Sequence, residues 1–242
     1  MTLQLGLIGT DGIVIASDRQ LQQQQIDGIE IGVSRSLTSK FRLGQNGVLG
    51  CWSGDKVAQL ALDHFSHLGS TEIKESWEDS LVSLANDAWR ALCANDASLG
   101  NQIRKVLVAR PGAAWQLWVV DVGAKSFANP VLNKVVAGDI RNSARHVINS
   151  YFSEPYAPLP FKVRELIFAA AHTIVQAERE NSTSVLGLEI VIVRNNHPPL
   201  FLAAEAIDAL RARSEAMFRD VKASLVKPID IDEEITMPPD SE

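Results

Sequence analysis

The stretch Thr2-Leu-Gln-Leu-Gly-Leu-Ile-Gly-Thr-Asp-Gly-Ile-Val-Ile-Ala-Ser-Asp18 decides the fold. Two apolar runs, Leu3 to Ile8 and Gly12 to Ala16, flank Thr10-Asp11-Gly12. Asp-Gly between two β-rich runs is a strong hairpin signal. The chain is therefore expected to open with two antiparallel strands. Thr2 directly follows the initiator Met1. Loss of Met1 would expose a residue that carries a nucleophile and a base together: the hydroxyl attacks and the α-amine takes the proton. That amine has an ordinary pKa of about 7.7–8.0, so it can serve as an unprotonated base near neutral pH. Thr2 is small, which suits removal of Met1 by an aminopeptidase.

Working outward, a polar stretch from Arg19 to Ser39, with Gln22 to Gln25 in a row, fits a long hairpin arm or a mobile loop. Phe41 to Leu43 and Val48 to Trp52 read as a second hairpin across Gly44-Gln-Asn-Gly47. The period then changes. From Gly54, the positions Val57, Leu60, Ala61 and His64 follow one helix face. Ser70 or Thr71 could cap a second helix, in which Trp77, Leu81, Leu84 and Trp89 fall close to one face. Lys105 to Ala109, Trp115 to Val122 and Val131 to Ala137 read as strands. Asn142 to Phe152 and Phe161 to Arg179 read as helices, Leu188 to Val193 and Leu200 to Leu202 as a last strand pair, and Ala203 to Leu225 as an amphipathic helix. Hairpins separated by helix pairs, without regular βαβ alternation, point to antiparallel sheets packed together with helices outside.

Composition narrows the function. The chain has 242 residues, 46% of them hydrophobic and 21% charged, with a net charge of −6. No basic stripe is visible that would draw nucleic acid to an acidic chain. No apolar run approaches the length of a membrane span, and the N-terminus lacks the pattern of a signal peptide. Cys51 and Cys93 make no disulfide framework and suit a reducing, cytoplasmic setting. Among the five histidines, only His64 and His67 share a helix turn, and no further ligand type accompanies them, so neither a metal nor a cofactor is expected.

These features together resemble the proteasome β-type family of N-terminal-nucleophile hydrolases. In that family an aspartate ending the second strand follows the N-terminal threonine by sixteen residues, as Asp18 follows Thr2. A lysine comes next, matched by Lys40, and fourteen residues beyond it a glycine opens the first helix, matched by Gly54. The resemblance implies an α+β fold, a four-layer αββα sandwich of two antiparallel sheets flanked by helices. It spans residues 1–226 as one proteasome-like domain, followed by an acidic tail, 227–242.

The resemblance also implies roles. Thr2 is the nucleophile with its own amine as base. Lys40 lowers the pKa of the Thr2 hydroxyl, Asp18 holds Lys40, and the Gly54 N–H stabilises the oxyanion. Trp52 floors the specificity pocket, and Leu21 and Lys56 line it. Two positions depart from the family. Asp139 stands where a serine assists the amine; its carboxylate would favour the ammonium and weaken it as a base. Asn181 replaces the aspartate of Asp-x-x-Ser, while Ser184 keeps the serine. Six more residues than usual separate Asp18 from Lys40, and the Gln-rich stretch can absorb them.

The implied activity is a cytoplasmic threonine peptidase that needs no cofactor. It would assemble with identical or related subunits into rings, act on unfolded protein or peptides, and take an ATPase unfoldase as a further partner. Two alternatives remain at this point: a catalytically inactive or weak structural homologue that still assembles, and an amide transferase or ligase using the same Thr2 ester.

Overall fold

The computed structural model describes residues 2–27, 30–44, 47–68, 76–93, 104–110, 115–138, 141–153, 158–182 and 184–225. Strands β1 (Leu3–Gly9) and β2 (Gly12–Ser17) form the expected opening hairpin, with Leu5 opposite Ala16 and Leu7 opposite Val14. The polar stretch is an arm of two paired strands, β3 (Gln20–Asp27) and β4 (Glu30–Leu37). A second hairpin follows, β5 (Phe41–Leu43) and β6 (Leu49–Ser53).

Next come helices α1 (Lys56–Ser66) and α2 (Trp77–Cys93). Asp55 caps α1, its Oδ1 accepting from Val57 N at 2.9 Å. At α2 the capping oxygen belongs to Ser76, which accepts from Asp79 N at 3.1 Å; the sequence-based caps, Ser70 and Thr71, lie outside the described residues. Of the face assigned to α1, Val57 and Ala61 are buried, joined by Ala58, Leu62 and Phe65, while Leu60 packs at its margin.

Strands β7 (Lys105–Arg110), β8 (Gln116–Asp121), β9 (Phe127–Val131) and β10 (Lys134–Gly138) complete the middle of the chain. Here one expectation is corrected. Residues 131–137 are not one strand: Val131 ends β9, and the chain turns at Leu132-Asn133 and enters β10 in the other sheet. Helices α3 (Arg141–Tyr151) and α4 (Val163–Glu180), strands β11 (Glu189–Arg194) and β12 (Leu200–Phe201), and helix α5 (Ala204–Leu225) close the fold within a few residues of the expected bounds.

The first sheet has the order β10-β1-β2-β11-β12 and the second β5-β6-β7-β8-β9, with every pairing antiparallel. Three apolar layers hold them together. Leu3, Leu5, Leu7, Val14 and Ala16 pack against α4 residues such as Leu166, Ala170 and Ile174. Ile13, Ile15 and Val191 meet Leu49, Leu107 and Leu117 between the sheets. Val106, Val108 and Val120 pack against Ala61, Phe65 and Leu81 of the other helix pair. Because β2 is buried on both faces, it reads as a continuous apolar run rather than an alternating one. The result is the expected α+β architecture of two antiparallel sheets flanked by helices. Hairpin and helix are also tied at one end: Asp11 in the β1–β2 turn accepts from Val163 N, the first residue of α4, at 2.7 Å.

Candidate active site

The β1–β2 hairpin fixes where Asp18 stands. Asp18 directly follows β2, and its N–H donates to Leu3 O at 3.1 Å. Its carboxylate then accepts from Leu3 N (2.8 Å, Oδ1) and from Gln20 N (3.2 Å, Oδ2). Asp18 is thus held to the residue immediately after Thr2 by two backbone contacts.

Lys40 arrives from the segment between the arm and β5. Thr38 N donates to Arg19 O at 2.9 Å, and Trp52 N donates to Lys40 O at 3.1 Å, which ties that segment to the β2–β3 connection and to β6. The Lys40 ammonium reaches both Asp18 oxygens at 2.8 Å. Both side chains are completely buried. Two charges removed from water are tolerated only when paired and hydrogen-bonded, and this carboxylate has an ammonium and two backbone donors. Burial pushes the Asp18 carboxyl above its ordinary range, while the charge and hydrogen bonds of Lys40 and the N–H groups of Leu3 and Gln20 draw it back down.

Thr2 is 4% exposed and stands at the end of β1 beside β10. The approach there is close. Gly138 has φ +113°, and a Cβ on it would lie 1.7 Å from Thr2 O. Gly138 lies beside the position at which the sequence draws attention to Asp139, and Asp139 itself lies outside the described residues.

Gly54 lies just ahead of α1, with φ +118°, a backbone state that side chains rarely adopt. The next residue, Asp55, is gripped by Arg104, whose Nε donates to both carboxylate oxygens at 2.8 Å while Nη2 donates to Oδ2 at 2.6 Å. Sequence reading missed Arg104. An arginine opening an apolar strand signals an anchored charge, but nothing local names its partner 49 residues away.

Beneath Lys40 lies a small polar group between the sheets. Gln4 Nε2 donates to Cys51 Sγ at 3.0 Å, and both residues are fully buried. Burial pushes the Cys51 thiol up to about 12, against the opposing effects of Ser17, Lys40 and Gln4. Cys51 is therefore an inert core thiol.

The remaining sequence-derived positions are more scattered. Asn181 ends α4, its N–H donating to Ala177 O and its carbonyl accepting from Ser184 N and Val185 N. Ser184 is fully buried, and its Oγ has no hydrogen-bond partner among the described residues. Trp52 is 5% exposed and packs with Val57 and Leu62. It also lines a cavity of about 250 Å³ with Thr38, Ser39, Arg42 and Gln59. Lys56 is exposed at the start of α1 and is not part of that lining. The side chain of Leu21 lies outside the described residues.

No family model and no curated protein matches the chain. Solved structures do. The Anbu complex from Pseudomonas aeruginosa, described as a helical assembly, aligns with a TM-score of 0.67 at 14% identity, covering 94% of this chain and 98% of that one. Anbu from Yersinia bercovieri, described as an ancestral β-subunit, aligns with a TM-score of 0.65 at 12% identity, over 94% of this chain and 98% of that one. Anbu from Hyphomicrobium sp. strain MC1 gives 0.64 at 14% identity, over 95% and 100%. At such identities the likeness establishes the architecture and not the chemistry. The chain has the proteasome-like fold of the N-terminal-nucleophile hydrolases, in the form also taken by the Anbu proteins.

Proposed function

We propose that the protein is a proteasome-type threonine peptidase that hydrolyses peptide bonds through an acyl ester on Thr2 after Met1 is removed. The observation that carries this reading is the buried Asp18–Lys40 pair, tied to the first strand through the Leu3 N–H. A buried ion pair is weak support for stability alone. Its position, one residue from a threonine that processing would make N-terminal, gives it chemical meaning.

The Thr2 Oγ attacks the scissile carbonyl and its proton passes to the Thr2 α-amine. The Lys40 ammonium favours the developing alkoxide. The Gly54 N–H, at the N-terminal end of α1, receives the oxyanion. Collapse expels the amine, which takes the proton back, and leaves the ester. Water then attacks the ester with the same amine as base. Residues 1–226 act as one domain in this scheme, and copies of the chain associate with one another, as the helical assembly described for the Pseudomonas protein illustrates for a similar fold. A second reading, a weak homologue that assembles without cleaving, draws on Asn181, a neutral helix-ending residue where the resembling family has a carboxylate.

Product analysis tests the proposal. The Met1-free protein, incubated with unfolded protein or peptide, is expected to yield fragments with free carboxylates, and a Lys40→Ala variant none. Fragments capped by an added amine would show transfer instead. Intact substrate after incubation with the processed protein would favour the non-cleaving homologue.

A further inference from the structure

The pairing of β6 with β7 sets Ser53 opposite Lys105, so the residues flanking the strand ends, Gly54 and Arg104, are brought to the same end of the sheet. The Arg104 side chain is fully buried there, and that of Asp55 is 20% exposed. The guanidinium makes the fork contact that suits a planar carboxylate. Asp55 also caps α1 through Oδ1. One carboxylate therefore ties three things together: the turn at Gly54, the first turn of α1, and the end of β7.

This placement has an electrostatic consequence. A carboxylate one residue from an oxyanion donor opposes the negative charge that the donor must receive, and in a partly buried site the opposition is weakly screened. A buried arginine on that carboxylate cancels it, and its rigid fork also holds the turn.

We propose that Arg104 is a positioning residue for the oxyanion site, fixing the Gly54 turn and neutralising Asp55 beside it. The inference rests on the assignment of Gly54 as oxyanion donor made above. It differs from a packing role in one respect that can be measured. Removing Arg104 alone leaves an uncompensated carboxylate next to the oxyanion, so removing the Asp55 charge as well should repair the defect. Asn is as good a helix cap as Asp, so Asp55→Asn leaves α1 capped.

The test uses a peptide boronate on the full-length, Met1-free protein. The Thr2 Oγ adds to boron and its proton passes to the α-amine; boron becomes a tetrahedral anion with a hydroxyl directed at the Gly54 N–H. Arg104→Gln is expected to weaken boronate binding by about 10- to 100-fold, at or below the loss seen when a single oxyanion donor is removed. The double variant Arg104→Gln/Asp55→Asn is expected to recover most of that loss. Unchanged binding in Arg104→Gln, or a double variant no better than the single, overturns the proposal.

A second readout is independent of catalysis. In protein labelled with [15N]glycine, the Gly54 amide resonance, assigned with Gly54→Ala, should move in Arg104→Gln and return towards its original position in the double variant. An unmoved Gly54 resonance overturns the inference whether or not the protein acylates. Absence of a boronate adduct on the unsubstituted protein, with Gly54 moving as described, counts against the peptidase reading and leaves the Arg104 clamp standing.

Discussion

At the scale of single residues, the site depends on charges that cannot be removed one at a time. Lys40→Met would leave the Asp18 carboxylate buried without its cation, and breaking such a pair costs about 3–5 kcal/mol. Urea denaturation should show that loss. A change near the ~0–1 kcal/mol typical of exposed pairs would mean that the two groups are not coupled as described. Gly138 makes a second demand. Gly138→Ala places a methyl on the Thr2 carbonyl at a backbone angle that disfavours any side chain, with a cost on the order of 1–3 kcal/mol. The expected outcome is a lower melting temperature together with slower modification of Thr2; unchanged values for both would show that Thr2 is free to shift. The contact between Asp18 and Lys40 was legible in the sequence because their spacing after Thr2 matches a known pattern. Arg104 and Gly138 were not. Their contacts form across strand pairings, between residues that only the folded register brings together.

At the scale of elements, the hairpins and long helices followed from turn chemistry and apolar period, and the exception is instructive. No element was assigned to residues 127–130 from the sequence, yet Phe127-Ala-Asn-Pro-Val131 is β9. It lies at the edge of the second sheet, where a proline's missing N–H costs nothing to a further ladder. The real turn, Leu132-Asn133, carries neither glycine nor proline, so Asn133 is its one local mark. Helix α4 offers a pH test. His172 is 3% exposed, hydrogen-bonded through Nδ1 to Ser214 Oγ at 2.8 Å, stacked on Phe168 and packed against the tilted ring of Phe218. Burial lowers its pKa below the ordinary 6.5. The unfolded chain then binds the proton more tightly than the folded one. Stability should therefore fall as pH drops from 6.5 through the lowered value. The urea midpoint of His172→Gln should lose that part of the slope, while equal slopes in both proteins would show that His172 is not the titrating group.

At the scale of the whole molecule, three apolar layers hold the two sheets to each other and to their helices. Thr2 and Asp18 flank β1 and β2 of the first sheet, Gly54 and Arg104 flank β6 and β7 of the second, and Lys40 lies in the strap that joins the arm to β5. Among the described residues, no helix is long and apolar enough to cross a membrane. The fold was legible as a whole because its hairpins and helix pairs come in blocks; the proposed chemistry rests on one threonine and its processing. Intact mass after incubation with an epoxyketone or β-lactone probe, on the unsubstituted protein and on Thr2→Ala, measures this directly. Loss of Met1 and a single adduct on the unsubstituted protein alone is the expected result. Retention of Met1, or a processed protein that takes no adduct, would contradict the assignment of Thr2 as a working nucleophile.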